Sequence, residues 1–340
     1  MIVLYAPGVH TGGGLVLLKS LLAAWPAGVP LRAILDARAR ELLVLPELAA
    51  TCWVPPTVAA RLAAEWRLRE VAGPADIVLC LHGLPPLFRS HGRVVVFQQN
   101  RLHLGLIPLR RFAPRTALRL SIERLIGRAL RHRVAEYIVQ TPTMAGALAA
   151  WHGGGPSIRV LPFAEPVSAP AVEQVIWDFV YVADGEAHKN HLSLLRAWAL
   201  LAAQGIRPRL ALTLSARDKR LADAVDALRE SGAADVHNLG PMGHQEVLSL
   251  YAASRALIYP SLGESLGLPL IEARQLGLPV IAAELDYVRD VCEPVQSFDP
   301  LSPVSIARAV RRFLEQSEPV LPMQGAAALW AALGAAPDHR

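Results

Sequence analysis

Only three cysteines, Cys52, Cys80 and Cys292, occur in 340 residues, odd in number and far apart. This excludes a disulfide framework and offers no zinc-site spacing. Cys80, which follows Asp76, Ile77, Val78 and Leu79, reads as a small buried hydrophobe. Long apolar runs are also missing: hydrophobic residues make up 53% and the mean hydropathy is +0.32, yet no run reaches the roughly 20 residues of a membrane span. Ala and Leu at helical spacing account for the high mean. Met1 to Pro7 lacks the basic flank and length of a secretory signal, so a first strand and a cytoplasmic protein are expected. A charged fraction of 19% beside that much apolar content excludes disorder, and the length suffices for two domains with cores of their own.

Acids are the scarcer charge. The formal net charge is +5 and the isoelectric point about 9.4, which favours anionic partners without choosing among nucleotide, lipid surface and nucleic acid. The imbalance peaks over residues 108 to 133, where arginines 110, 111, 115, 119, 124, 128, 131 and 133 face one acid, Glu123. Leu118, Ile122, Leu125, Ile126 and Ala129 recur at helical spacing and are expected to face the core, with Arg124, Arg128 and Arg131 opposite them. That basic face is either solvated or a surface for anionic lipid or a pyrophosphate-linked acceptor. Nucleic acid is not expected, because aromatic residues for base stacking are nearly absent there.

Apolar runs alternate with helical Ala/Leu/Arg segments along the chain. Strands are expected at Met1 to Tyr5, Leu31 to Leu35, Ile77 to Leu81, Val94 to Phe97 and Tyr137 to Val139. A second set follows at Phe179 to Val182, Leu210 to Leu214, Val236 to Leu239, Ala256 to Tyr259 and Val280 to Ala282. Such alternation implies parallel sheets with helices on both faces, and ligands bind beyond the C-terminal strand ends. Three prolines, Pro162, Pro166 and Pro170, read as an interdomain linker. The first strand runs into a glycine-rich turn, with Gly12, Gly13 and Gly14 ahead of a helix Leu15 to Trp25. This is either a plain tight turn or a close backbone approach to a ligand. It is not the dinucleotide G-x-G-x-x-G pattern. Two polar loops at strand ends hold His82, Asn100 and His103, for each of which a capping or solvated role competes with a ligand-binding one.

The stretch from Ala256 to Ala283 carries most information. A buried strand, a loop bracketed by Gly263 and Gly267, a helix with Pro269 in its first turn, Gly277 as its C-terminal cap and a second strand follow in order. Backbone N–H groups around Gly267 to Leu270 are expected to point out of the helix N-terminus and to suit an anion. Glu264 and Glu272 flank that point, so phosphate and hydroxyls could be held together, as in a sugar nucleotide. The competing reading is that both glutamates favour the helix dipole or face water.

The spacing P-S-x-x-E-x-x-G-L-P-x-x-E-A, from Pro260 and Ser261 through Glu264, Gly267, Leu268 and Pro269 to Glu272 and Ala273, resembles the E-x7-E signature of family 4 retaining glycosyltransferases. The resemblance implies an α/β fold of two facing Rossmann-like domains (GT-B), each a parallel sheet flanked by helices. Expected bounds are 1–165 for an acceptor domain, 166–176 for a linker, 177–320 for a nucleotide-sugar domain and 321–340 for a tail, its helix over 325–333 crossing back to the first domain. Implied catalytic residues are Glu264, on sugar hydroxyls, and Lys189, on the diphosphate. Glu272 would hold the ribose, and Gly267, Leu268, Gly12, Gly13, Gly14, His188 and Leu239 would complete the donor site. His82, Asn100 and His103 are the acceptor-side candidates. The expected partners are a UDP- or GDP-linked sugar, a glycan or lipid-linked acceptor and an anionic membrane surface met through Arg124, Arg128 and Arg131. No cofactor is expected, and without a D-x-D pair no metal either. The expected activity is retaining hexosyl transfer in bacterial cell-surface polysaccharide synthesis. Two departures stand out: Asp184 occupies the place of the usual arginine ahead of Lys189, and Gln98, Gln99 and Asn100 stand where a catalytic His motif would be. The rival reading is a non-catalytic nucleotide-binding or scaffold protein of the same fold.

Overall fold

A computed structural model of the chain describes residues 1–316 apart from 106, 107, 110, 111, 156, 169 and 173, with isolated positions beyond. The helix expected over 325–333 lies for the most part outside the described residues. Two wholly parallel sheets of seven and six strands are each flanked by helices. The first comprises β1 (Ile2–Ala6), β2 (Leu31–Asp36), β3 (Ala49–Val54), β4 (Ile77–Cys80), β5 (Arg93–Phe97), β6 (Glu136–Val139) and β7 (Ser157–Val160), in the order β3-β2-β1-β4-β5-β6-β7. Its helices are α1 (Gly12–Ala23), α2 (Val58–Val71), α3 (Pro114–Ala129) and α4 (Pro142–His152). One core cluster joins α2 and α4 to the sheet through Leu68, Met144 and Leu148, and another joins α1 to the opposite face through Leu17, Leu18 and Leu22.

The second sheet has the order β10-β9-β8-β11-β12-β13. Its strands are β8 (Trp177–Tyr181), β9 (Leu210–Leu212), β10 (Val236–Asn238), β11 (Ser254–Tyr259), β12 (Val280–Ala283) and β13 (Gln296–Phe298). They alternate with α5 (His191–Ala203), α6 (Lys219–Glu230), α7 (His244–Ala252), α8 (Leu268–Gln275), α9 (Asp286–Arg289) and α10 (Pro303–Phe313). One continuous core runs through Phe179, Trp198, Tyr259, Ile281 and Val310. The central strands are buried on both faces, which is why they read as unbroken apolar runs.

Strands β3, β7 and β13 were not expected from the sequence. All three are edge strands, and apart from Val54 and Phe298 their residues Ala-Ala-Thr-Cys-Trp-Val, Ser-Ile-Arg-Val and Gln-Ser-Phe are half covered or exposed, so no buried run marks them. The glycine turn also differs: α1 begins at Gly12, so the three glycines form the first turn of the helix and not the loop before it. With Thr11 making no side-chain cap, that turn presents bare backbone.

Helix α3 is turned the other way from the expectation. Leu118 is 64% exposed, Ile122 50% and Leu125 69%. Arg124 instead points inward, where its Nε donates to Leu102 O at 2.8 Å, and the Arg128 guanidinium lies 5.5 Å from the Trp151 ring centre. Periodicity defines two faces of a helix but not which one meets the core. Here Leu104, Met144 and Leu148 already cover the sheet, and α3 lies over them as an outer layer, burying only Leu120 completely.

Candidate active site

In each sheet the chain reverses its direction of travel across the strands, between β1 and β4 in the first and between β8 and β11 in the second. The loops leaving those strands splay apart at their C-terminal ends and leave a crevice there. The segments singled out in the sequence leave these four strands: Gly12 to Gly14 follow β1, His82 follows β4, His188 and Lys189 follow β8, and Glu264 to Leu268 follow β11.

The turn after β8 and the strap 260–267 after β11 are stitched together. Asn190, in the left-handed conformation at φ 61°, donates from Nδ2 to Pro260 O at 3.1 Å and Pro300 O at 2.7 Å. The backbone N–H of Leu262 donates to His188 O at 2.8 Å, and Ser261 Oγ lies 3.2 Å from the same carbonyl. Tyr181 Oη donates to Lys189 O at 2.8 Å and Tyr287 Oη to Ser261 O at 2.7 Å. Two loops so bound hold their side chains in fixed relation.

At the centre Lys189 Nζ donates to Glu264 Oε1 at 2.9 Å, and Ser261 Oγ donates to the same oxygen at 2.6 Å. Both charged side chains are largely buried, at 16% and 13% exposure. Burial works against either charge, yet the partner outweighs it: Lys189 is held above the usual lysine range and Glu264 below the usual carboxylate range. His188 sits under the same turn with its Nδ1 3.3 Å from Glu186, and burial lowers its pKa. Burial also raises that of Glu186, with Asp184 beside it adding to the effect. The place where a second cation was sought therefore holds two acids.

A cation arrives instead from the first domain. Arg101, in the turn after β5, donates from Nη1 to Glu264 O at 3.3 Å and lies 5.9 Å from the Tyr287 ring centre. Its Nε is buried with no hydrogen-bond partner. Sequence reasoning passed over Arg101 while selecting its neighbours Asn100 and His103; a basic residue in a strand-end loop was the available signal.

Gly267, at φ 77°, opens α8 without a side-chain cap. Pro269 has no N–H, and Leu270 N–H donates to Gly267 O at 2.9 Å. The expected set of anion-directed donors thus narrows to the N–H groups of Gly267 and Leu268, because the helix consumes the rest. A Cβ placed on Gly13 would lie 3.5 Å from Leu268 Cδ1, so the N-termini of α1 and α8 meet across the crevice. The Glu272 side chain on α8 is largely buried, at 12% exposure, with Oε1 3.0 Å from His244 Nε2 and Oε2 accepting from Tyr251 Oη at 3.3 Å. Leu239 is 37% exposed in the turn ahead of α7, with its N–H bonded to Leu212 O.

The acceptor-side candidates group together but turn inward. Asn100 caps its own turn through Leu102 N–H at 3.0 Å, and its Nδ2 lies 3.1 Å from His103 Nε2. That nitrogen is also 3.4 Å from Glu123 of α3. His82 packs edge-on to Tyr5, and burial pushes its pKa down to about 4. His103 and Asn100 thus serve the packing of α3, while His82 is a neutral imidazole whose Nδ1 has no partner. Asp36 at the end of β2 was missed; it is fully buried and bidentate with Arg38 at 2.9 and 2.8 Å.

Two facing Rossmann-like domains with a crevice between their strand ends constitute the GT-B arrangement. The same fold is found in sucrose-phosphate synthase from Thermosynechococcus elongatus, with a TM-score of 0.71 and 17% identity over 92% of this chain and 89% of that one. It is also found in Anabaena HepE, solved with UDP and glucose, with a TM-score of 0.68 and 15% identity over 92% and 89%. The family model described as glycosyl transferases group 1 matches residues 175–328. O-antigen chain mannosyltransferase B of Escherichia coli is 33% identical over 122 residues, which are 35% of this chain and 32% of that protein. The match thus spans about a third of that curated relative.

Proposed function

We propose that this protein transfers a hexosyl group, with retention of configuration, from a nucleotide sugar to a glycan or lipid-linked acceptor in the cytoplasm, as a step in bacterial cell-surface polysaccharide synthesis. The observation that carries the reading is the buried Lys189–Glu264 pair beside the first turn of α8, facing the bare first turn of α1. The matching family model and the mannosyltransferase relative support it, and the latter favours mannose as the sugar.

In this reading residues 177–320 bind the donor and 1–165 the acceptor. The diphosphate lies between the two helix N-termini, where N–H groups of Gly267, Leu268 and Gly12 to Gly14 face it. Lys189 and Arg101 stabilise the negative charge that grows on the leaving phosphate. Glu264 accepts hydrogen bonds from sugar hydroxyls and Glu272 from the ribose, while Leu239 and its turn meet the base. The departing phosphate takes the acceptor proton on the face it leaves, so no side chain need act as nucleophile and no metal is required. Contact between the domains excludes the water that would hydrolyse the donor.

The acids Asp184 and Glu186 beside the phosphate position favour one alternative, a nucleotide-binding protein without turnover. An assay of transfer and donor hydrolysis with UDP- and GDP-linked hexoses, with and without chelator, tests the proposal. Product from one donor, unaffected by chelator, supports it. Nucleotide binding with no turnover of any donor would leave the alternative standing.

A further inference from the structure

Helix α3 presents to solvent the stripe that a surface helix ordinarily buries. Leu118, Ile122 and Leu125, spaced at i, i+4 and i+7, share one outward face, and each is at least half exposed. Helix α2 does the same: Val58 is 77% exposed, Leu62 45% and Trp66 52%, at i, i+4 and i+8. The two helices lie on the same side of the first sheet and are joined by the loop after β4. There Leu84 packs on Gly127 of α3, Leu87 N–H donates to Glu65 of α2 at 2.8 Å, and its carbonyl accepts from Arg133. Phe88, from the same loop, is partly exposed and sits edge-on to Trp66 with ring centres 5.8 Å apart.

Charge on this side is predominantly positive. Helix α2 contributes three arginines and α3 four, of which Arg124 is turned inward, against two glutamates in α2 and one in α3. Of those glutamates Glu65 is buried and Glu123 is turned toward His103, which leaves Glu70 as the exposed acid of the two helices. The arginines flank the apolar stripes: Arg115 and Arg119 are exposed beside Leu118 and Ile122, and Arg69 stands 5.5 Å from the Trp66 ring centre.

We propose that this side of the first domain, with the α2 and α3 stripes and Phe88 at its centre, seats on an anionic lipid bilayer. Apolar side chains enter the headgroup boundary while arginines at their margins meet lipid phosphates, as interfacial helices do. A second copy of the chain is the wrong occupant, since an isologous contact would set arginine against arginine. Among the described residues no helix is long and apolar enough to span a membrane, so attachment is to one surface. The surface differs from the Arg124, Arg128 and Arg131 face that periodicity alone indicated, because Arg124 is turned inward. The inference goes beyond the glycosyl-transfer reading and does not depend on it.

Sedimentation of the full chain with phosphatidylglycerol and with phosphatidylcholine vesicles, across a salt series, tests it. The parent should pellet with the acidic vesicles and much less with the neutral ones. Replacing Leu118, Ile122 and Leu125 together with Ser should weaken that binding at least tenfold. The triple change Arg115→Gln, Arg119→Gln and Arg69→Gln should weaken it about a hundredfold at low salt and flatten the salt dependence. Exposed positions leave the melting temperature unchanged, which separates lost binding from lost folding. A parent that does not pellet with acidic vesicles overturns the proposal, as do variants that pellet like the parent. It is equally overturned if the parent is a dimer in sedimentation velocity and the serine variant a monomer, for then the face is a protein interface.

Discussion

Replacing Glu264 with Gln removes one charge from the centre of the site while keeping its shape and its capacity to accept from Ser261. Unit charges 2.9 Å apart at an effective dielectric of about 20 attract by roughly 6 kcal/mol. Desolvation cancels part of this, and losing one partner of such a buried pair costs about 3–5 kcal/mol. The amide still accepts a hydrogen bond, which puts the expected loss near 3 kcal/mol, or roughly 6–12 °C in the melting temperature of a domain this size. The two functional effects should run in opposite directions. Lys189, freed of its internal partner, is a better diphosphate ligand, so calorimetry with UDP and GDP should show affinity unchanged or increased. Transfer should fall roughly a hundredfold, because hydrogen bonds from the sugar hydroxyls to the carboxylate tighten as the ring flattens toward the transition state. Diphosphate affinity that falls as far as turnover would refute this division of roles. An unchanged melting temperature would refute the energetics of the pair.

The same pair sets a pH dependence. Glu264 titrates below its usual 4.5 in the folded chain, so its contribution is present above that value and is lost as pH falls through the folded pKa; Lys189, raised above 10.5, contributes below that value and loses it as pH rises through its own. Melting temperature against pH should drop more steeply below about 4.5 in the parent than in Glu264→Gln, and equal slopes would remove the pair from the account. Glu272→Gln should weaken binding of the preferred nucleotide by about 1.5–3 kcal/mol with little change in melting temperature, and calorimetry reads both outcomes if the titration is paired with a thermal scan. Arg101→Gln should reduce kcat roughly tenfold to a hundredfold with nucleotide affinity nearly intact, since under the proposed function Arg101 reaches the leaving phosphate from the first domain while the second binds the nucleotide; kinetics like the parent's would return Arg101 to a purely structural contact.

The parallel α/β architecture was legible because the buried stretches of central strands must be apolar, as Val3 to Ala6, Val94 to Phe97, Phe179 to Tyr181 and Ala256 to Tyr259 are. The unit from β11 to β12 was legible for a second reason: Gly267 at positive φ, Pro269 in the first turn and Gly277 at positive φ are local demands of the backbone. The edge strands β3, β7 and β13 carry no such mark. Which residues meet was a different matter. Lys189 and Glu264 are 75 positions apart and Arg101 and Glu264 163, and nothing in their local sequence joins them. The first pairing depends on how two loops of the second sheet are tied, by Asn190, Tyr181 and Tyr287, and the second on the approach of one domain to the other. The orientation of α3 was decided in the same way. Periodicity gave it an apolar stripe and an arginine face with equal clarity, and only the prior occupation of the sheet by Leu104 and α4 turned the stripe to the outside.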